Sequence, residues 1–166
     1  MDLDKRLENV SVLGAAGKMG SGIALLLAVE MTKRKLAPAG RDRSFRLNLI
    51  DTNPVGLSGL IDYLRTQSLK VAEKSVGELR ALDADRADLV ENGEMVQAFV
   101  DDVGRTVVTT TELAVARDSS LVFEAIIENE TVKVEVYKQL ERLCSKDACF
   151  LTNTSSIPIA QLDEKA

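Results

Sequence analysis

The sequence predicts a doubly wound α/β fold, in which a mostly parallel sheet carries helices on both faces. Three observations predict it. Strand-like apolar runs alternate with segments of helical periodicity along the whole chain. The 166 residues, 45% of them hydrophobic, suit one domain spanning 1–166 with a single core. Strands separated by helices of this length call for parallel pairing with right-handed crossovers.

The first half of the chain supplies two strands and two helices. Residues 9–13 read as a buried strand, followed by a helix from Lys18 to about Leu36. Residues 48–50 form the core of a second strand, which ends at Asp51. A second amphipathic helix follows, because apolar residues recur there at helical spacing: Leu57, Leu60, Ile61, Leu64 and Val71.

The second half continues the alternation. We expect a helix over about 86–103, a β-branched strand over 106–109 and a short helix over 112–117. A fourth strand covers 121–127 and a fifth covers 148–153. Between these two strands lies a helix with an apolar stripe of Val132, Val136, Leu140 and Leu143.

Composition excludes several classes of function. The net charge of −5 argues against a nucleic-acid surface, which needs a basic field. No run approaches the ~20 apolar residues of a membrane span, and the charged N-terminus is not a secretory signal. We therefore expect a soluble cytoplasmic protein. Its two cysteines, Cys144 and Cys149, are too few for a disulfide framework or a four-ligand zinc site, so we expect reduced thiols and no metal.

Two features of the composition bear on chemistry. The chain contains no histidine, the commonest general base, so any proton transfer by these residues needs another group. The stretch 33–46 holds six Lys or Arg against the single Asp42. It is either a solvated connection between the first helix and the second strand, or a basic patch near a phosphorylated ligand.

Glycines follow the first strand directly. In "GAAGKMG", residues 14–20, the glycines at 14, 17 and 20 have the spacing G-x-x-G-x-x-G. Such a loop allows a tight turn, close approach of backbone N–H groups to a pyrophosphate, and close packing of helix on strand. A tight turn alone would also use glycine. The position after a strand and before a long apolar helix favours a Rossmann-type dinucleotide site.

Asp51 follows the second strand. A carboxylate there accepts the hydroxyls of an adenosine ribose and repels a 2′-phosphate, which favours NAD over NADP. Asp51 stands 37 residues after Gly14, and the basic stretch accounts for this long separation. The alternative is an aspartate that only caps the turn before Asn53 and Pro54.

Polar groups also follow the fourth and fifth strands. Glu124 and Glu128 lie in or just beyond an apolar strand, where charge is costly unless it is paired or used. Lys133 falls in the first turn of the next helix. Glu128 and Asn129 alternatively cap that helix. The run 153–156, "NTSS", is either a helix cap or a set of hydrogen-bonding groups at the mouth of the sheet.

Taken with the glycine loop and Asp51, "EAIIEN" followed by "VK" and then by "NTSSI" resembles the NAD-binding domain of the L-3-hydroxyacyl-CoA dehydrogenase family. The resemblance covers nearly the whole chain in the same order. It implies oxidation of the 3-hydroxyl of an acyl-CoA in fatty acid β-oxidation, with hydride passing to NAD. It also implies a homodimer formed through a further, helical domain.

The resemblance assigns roles to individual residues. Ser155 would hydrogen-bond the reacting oxygen of the substrate and lie beside the cofactor. The other cofactor contacts would be Gly14, Gly17, Lys18, Met19, Gly20, Asp51, Ile126, Ile127, Glu128 and Lys133. With one residue gapped, Ser68 and Lys74 match the family's coenzyme A contacts.

Two departures from the family pattern matter. The family usually has G-x-G-x-x-G, so this loop carries one extra residue. Its G-A-A-G sequence also resembles the glycine loops of malate dehydrogenases and dihydrodipicolinate reductases. The family's general-base histidine and its orienting glutamate would follow residue 166, so we expect this chain alone to bind cofactor without turnover. A stand-alone dinucleotide-binding module and a different NAD(P)-dependent reductase with a GxxGxxG loop are the alternative functions.

Overall fold

The computed structural model describes residues 3–165. Its strands are β1 (Asn9–Leu13), β2 (Arg46–Ile50), β3 (Val107–Thr110), β4 (Leu121–Glu124) and β5 (Cys149–Thr152). Its α-helices are α1 (Leu3–Arg6), α2 (Lys18–Leu36), α3 (Pro54–Lys74), α4 (Val76–Leu82), α5 (Asn92–Thr106), α6 (Glu130–Leu143) and α7 (Ile159–Lys165). Two 3₁₀ helices cover Pro38–Gly40 and Leu113–Asp118. Within this range, none of the helices combines the length and apolarity needed to cross a bilayer.

The five strands form one parallel sheet in the order β3-β2-β1-β4-β5. From β1 the chain moves outward through β2 to β3, then returns to add β4 and β5 on the other side. The direction of winding therefore reverses beside β1. Ligands of open α/β sheets bind at such a switch point, beyond the carboxyl ends of the strands. The doubly wound prediction is confirmed.

Helices cover both faces of the sheet. On one face, Val10 and Val12 of β1 are fully buried in the larger apolar cluster, to which α2, α3 and α5 contribute. The opposite face holds a smaller cluster that joins Leu13 and Val122 to Leu140 of α6. Alternate side chains of a strand point to opposite faces, so β1 contributes to both clusters. The loops at the carboxyl ends of the strands are therefore attached to a sheet that is packed on both faces.

The predicted helix over 86–103 is wrong at its start. The helix α5 begins at Asn92, because Glu91 and Glu94 form a capping box in which each side chain accepts the other's backbone N–H. Leu89 packs on the core from the preceding turn, and Val90 is exposed. The apolar spacing across 86–90 therefore came from a turn. The short helices α1, α4 and α7 were not predicted.

The strand boundaries also differ from those expected. The fourth strand ends at Glu124 rather than at 127, because the Ile126 N–H turns back to Glu124 Oε1 at 2.9 Å. The third strand begins one residue late, since Thr106 still belongs to α5 and its hydroxyl donates to the Asp102 carbonyl. The early end of β4 matters most, because it frees residues 125–127 to form a loop.

The basic stretch lies away from the carboxyl ends of the strands. It ends at Arg46, the first residue of β2, so it reaches the amino edge of the sheet. Several of its charges form ion pairs: Lys33 with Glu78 at 2.7 Å, Arg41 with Asp85 at 2.6 Å, and Arg43 with Glu8 at 2.7 Å. The interpretation as a solvated connection is confirmed. The alternative, a basic patch near a phosphorylated ligand, has no support at the carboxyl ends of the strands, because the stretch ends at the amino edge of the sheet.

Candidate functional site

Gly14 turns the chain out of β1. Its φ is +71°, a left-handed conformation that favours glycine. A Cβ at this position would lie 2.5 Å from the carbonyl oxygen of Ala125. The Gly14 N–H donates to the Ile50 carbonyl at 2.9 Å, which ties the turn to β2. Gly14 is therefore needed to bring the loop close to the ends of both neighbouring strands.

Gly20 and Gly17 have different surroundings. A Cβ on Gly20 would lie 2.0 Å from the Gly14 carbonyl oxygen, so Gly20 is the close-packing glycine between helix and strand. Gly17 is the N-cap of α2, and no side chain caps this helix. The nearest atom to its Cβ position is the same oxygen, at 3.2 Å. The loop's own packing thus requires Gly14 and Gly20 more than it requires Gly17, which borders a cavity.

Asp51 connects the glycine loop to the start of α3. Its Oδ2 accepts the Ala16 N–H at 3.0 Å, and its Oδ1 accepts the Asn53 N–H at 3.0 Å. The turn-capping interpretation is therefore confirmed. It does not exclude a ligand, because a carboxylate has about four lone-pair sites and the half-buried Asp51 also lines the cavity. One acceptor group thus fixes the loop and faces the space beside it.

The cavity at the switch point has a volume of about 560 Å³. Five predicted site residues line it: Gly14, Gly17, Asp51, Ile126 and Ile127. Its remaining walls come mainly from residues next to strand ends and from one face of α6: Leu13, Ala16, Ile50, Thr52, Asn53, Thr111, Leu113, Ala125, Val132, Val136 and Gln139. Sequence reasoning missed these residues. Their position just after β2, β3 and β4 was the available signal.

Other predicted cofactor residues lie around the cavity without lining it. Lys18 and Met19 are exposed in the first turn of α2, and the Met19 side chain is 53% exposed. Gly20 is buried behind them. The first turn of a long helix presents backbone N–H groups and a partial positive charge, both of which suit a phosphate. These three residues therefore remain predictions, supported by their location on that turn.

Glu124 and Lys133 form a buried ion pair. The Lys133 ammonium lies 2.6 and 2.8 Å from the two Glu124 oxygens, and each side chain is only 1% exposed. Glu124 also accepts bonds from Tyr137 Oη at 3.3 Å and Thr152 Oγ1 at 2.6 Å. The expectation that charge in this apolar strand must be paired is confirmed. Burial raises the pKa of Tyr137 to about 12.

Glu128 reaches the predicted "NTSS" turn instead of capping α6. Asn129 is the N-cap and accepts the Val132 N–H, so the capping alternative holds for Asn129 alone. Glu128 Oε1 accepts bonds from Thr154, Ser155 and Ser156. The hydroxyl of Thr154 first, and then the donors of Ser156 and the Lys133 ammonium, lower the pKa of Glu128 to about 2. Glu128 is thus a fixed anion at the mouth of the sheet.

The two predicted coenzyme A contacts differ in exposure. Lys74, at the end of α3, is exposed. Ser68 is fully buried, and its hydroxyl donates to the Arg65 carbonyl at 3.1 Å. Ser68 therefore does not present its side chain to a ligand in this structure, which counts against the predicted contact.

The residues present fit a dinucleotide. The uncapped start of α2 and the glycine at its N-cap leave room for a phosphate, and the carboxylate at the end of β2 suits ribose hydroxyls. A family model described as the NAD binding domain of 3-hydroxyacyl-CoA dehydrogenase matches residues 56–166. That match starts after the glycine loop, the segment that departs from the family's usual spacing.

Relatives extend the similarity over nearly the whole chain. Fatty acid oxidation complex subunit alpha of Shewanella loihica is 31% identical over 162 residues, and that of Shewanella halifaxensis is 32% identical. Both alignments cover 98% of this chain but only 19% and 18% of the relatives. The chain therefore spans about a fifth of their length.

Solved structures have the same fold. The crystal structure of M. tuberculosis FadB2 is 27% identical, with a TM-score of 0.61 over 96% of this chain and 45% of that one. Escherichia coli 3-hydroxybutyryl-CoA dehydrogenase is 23% identical, with a TM-score of 0.62 over 94% of this chain and 26% of that one. The switch-point cavity, the residues around it and the family match agree: the chain belongs to the family of NAD-binding domains of 3-hydroxyacyl-CoA dehydrogenases.

Proposed function

We propose that this chain is the cofactor-binding part of an enzyme that oxidises L-3-hydroxyacyl-CoA to 3-ketoacyl-CoA in fatty acid β-oxidation. One observation carries the proposal: Gly17, Asp51 and the turn bearing Ser155 follow the carboxyl ends of three strands of one parallel sheet. Dinucleotide seat and substrate-contacting serine thus share one edge. The relatives named as fatty acid oxidation subunits support the pathway.

Each residue has a defined task in this proposal. The first turn of α2, entered through Gly17, binds the pyrophosphate, and Asp51 accepts the adenosine ribose hydroxyls. Ile126 and Ile127 border the cofactor in the cavity. Ser155 donates to the reacting substrate oxygen, since its hydroxyl makes no hydrogen bond within residues 3–165. Bound NAD supplies the hydride acceptor.

The proton of the 3-hydroxyl needs a base. Because the sequence contains no histidine, we propose that the base and the rest of the substrate pocket lie outside these 166 residues. The further helical domain, the homodimer that it forms and a cytoplasmic location belong to the same proposal. The purified chain should then bind NADH but not oxidise it with acetoacetyl-CoA. Rapid NADH oxidation by the chain would contradict the proposed location of the base.

Fluorescence titration with NADH and NADPH tests the cofactor assignment. We expect micromolar NADH binding and a preference for NADH over NADPH of at least about tenfold, which corresponds to roughly 1.4 kcal/mol. Asp51→Asn should narrow this preference, because it removes the charge that repels a 2′-phosphate. Asp62→Asn, on the exposed side of α3, is the matched control and should leave it unchanged. Equal affinity of the wild-type chain for NADH and NADPH would favour the alternative function, a different NAD(P)-dependent reductase.

A further inference from the structure

The turn that carries Ser155 is fastened to one oxygen atom. Glu128 Oε1 accepts the Thr154 hydroxyl at 2.6 Å, the Ser155 N–H at 3.1 Å, and both the N–H and the hydroxyl of Ser156 at 3.1 and 2.9 Å. Hydrogen bonds to a charged acceptor are roughly twice as strong as neutral ones. Four donors from three consecutive residues therefore fix the backbone at Ser155, while its own hydroxyl stays free within residues 3–165.

Glu128 is itself anchored from the protein interior. The Lys133 ammonium lies 3.2 Å from Glu128 Oε2, the oxygen that the turn does not use. The same ammonium is bonded to both oxygens of Glu124. Lys133 is only 1% exposed, whereas Glu128 is 37% exposed. Lys133 thus joins a buried carboxylate to a surface carboxylate, and it presents almost no surface of its own to a ligand.

Both carboxylates lead to the same segment. Glu124 Oε2 accepts the Thr152 hydroxyl at 2.6 Å, and Thr152 Oγ1 in turn accepts the Thr154 N–H at 3.1 Å. The Asn153 N–H also donates to the Glu124 carbonyl at 2.9 Å. The segment 152–156 is therefore held at its start through Glu124 and at its end through Glu128. Lys133 is the group common to both attachments.

We infer that Lys133 and Glu128 are positioning residues for Ser155, and that Lys133 acts through Glu128 on the substrate-contacting turn instead of contacting the dinucleotide. The inference rests on the proposed function for the identity of the substrate, an acyl thioester with an oxygen at C3. The attachment of the turn itself can be tested with no ligand present.

Amide hydrogen exchange of Ser155 and Ser156, measured by NMR on the 166-residue chain, tests the attachment. We expect Glu128→Gln to speed exchange of both amides by about tenfold, because it removes the charge on their acceptor. The matched control is Glu130→Gln: this similarly exposed carboxylate pairs with Lys165 in α7 and does not touch the turn. It should leave both rates within twofold of the wild type.

Lys133→Met should speed the same two amides, and Glu128→Gln/Lys133→Met should add nothing further, because the lysine acts through the glutamate. If Lys133→Met does not fold, Glu124→Gln/Lys133→Met removes both buried charges and takes its place. Thr154→Ser keeps the hydroxyl, so the Ser155 and Ser156 amides should exchange at the wild-type rate. Thr154→Val removes the hydroxyl and should speed their exchange. Unchanged Ser155 and Ser156 rates in Glu128→Gln would overturn the inference.

NADH titration of the same variants separates positioning from general damage. We expect the NADH dissociation constant of the lysine variant to stay within twofold of the wild type, while any response of NADH fluorescence to acetoacetyl-CoA is lost in that variant and in Glu128→Gln. A tenfold weaker NADH affinity in Lys133→Met, with the turn amides unaltered, would show that Lys133 contacts the dinucleotide and would refute the inference. No NADH binding by the wild-type chain would refute the proposed function alone, since amide exchange needs no cofactor.

Discussion

The glycine loop allows stability to be separated from ligand binding by adding one methyl group at a time. Gly17, Gly20 and Gly22 all lie at or near the start of α2. A Cβ at Gly20 would lie 2.0 Å from the Gly14 carbonyl oxygen, whereas ordinary van der Waals contact begins at 3.4 Å. The backbone of the loop must then move by more than 1 Å, because the obstructing atom is not a flexible side chain.

The expected magnitudes follow from these distances. Overpacking of this kind costs about 3 kcal/mol, and replacing a helical glycine by alanine returns about 1 kcal/mol, so Gly20→Ala should lose about 2 kcal/mol of unfolding free energy. Gly22 has no atom within 4 Å of its Cβ position, so Gly22→Ala should gain up to about 1 kcal/mol. Gly17→Ala needs a shift of only a few tenths of an ångström and should change stability by less than about 1 kcal/mol.

Urea denaturation and NADH titration together provide the assay. Gly20→Ala should unfold at a urea concentration lower by about 1 M. Gly17→Ala should fold normally but bind NADH at least about tenfold more weakly, because its methyl group occupies the space proposed for the pyrophosphate. Gly22→Ala should bind NADH as the wild type does. Wild-type NADH affinity in Gly17→Ala, or wild-type stability in Gly20→Ala, would refute this division of roles between the glycines.

Three further predictions concern titratable groups on β4, on α6 and in the loop between them. The turn donors hold the pKa of Glu128 at about 2, below its ordinary 4.5, so they contribute stability that is complete above pH 4.5 and declines as the pH falls towards 2. The chemical shifts of the Ser155 and Ser156 amides should report this loss of stability. A change in these shifts that is already complete at pH 4 would contradict the prediction. In Tyr63→Phe, Tyr137 is the remaining tyrosine, and tyrosinate absorbance should show that it ionises near pH 12. The stability that its burial contributes below pH 10.0 should decline as the pH rises towards 12. Ionisation near pH 10.0 would refute the burial argument. Lys133→Met leaves Glu124 buried without its partner, so urea denaturation should show a loss of about 3 kcal/mol in the free energy of unfolding. Glu124→Gln/Lys133→Met removes both charges and should lose less. Equal stability of the two variants would contradict the buried ion pair.

The fold could be predicted from the sequence because its local and long-range signals agree. Apolar strand runs such as 10–13 alternate with helices, of which α5 and α6 carry a clear apolar stripe, so the type and order of the predicted elements were correct. The errors lie where side chains determine the end of an element. The capping box at Glu91 and the bond from the Ile126 N–H to Glu124 are local contacts that apolar spacing does not reveal. Short helices such as α4 lack the length that makes periodicity informative.

The sequence predicted single residues of the candidate site better than it predicted the contacts between them. Gly14, Gly17 and Asp51 could be found because each follows a strand, and the parallel sheet brings such positions to one edge. The attachment of Glu128 to the turn at 154–156 joins residues 26 to 28 positions apart, and no pattern in the sequence specifies that distance. Apolar spacing also did not reveal the pairing of Lys133 with Glu124, and the contact of Lys133 with the cofactor stays a prediction, against which the inferred positioning role stands.

The central claim is that the cavity beside the glycine loop is the seat of NAD(H). Mapping the backbone amide shifts of the ¹⁵N-labelled chain during an NADH titration tests it most directly. We predict that the largest changes fall in the loop and first turn over 14–20, at Asp51 and over 126–127, with the amides of the paired basic stretch at 41–46 unchanged. Shifts centred on the basic stretch, or no shifts at millimolar NADH, would contradict the assignment of this cavity.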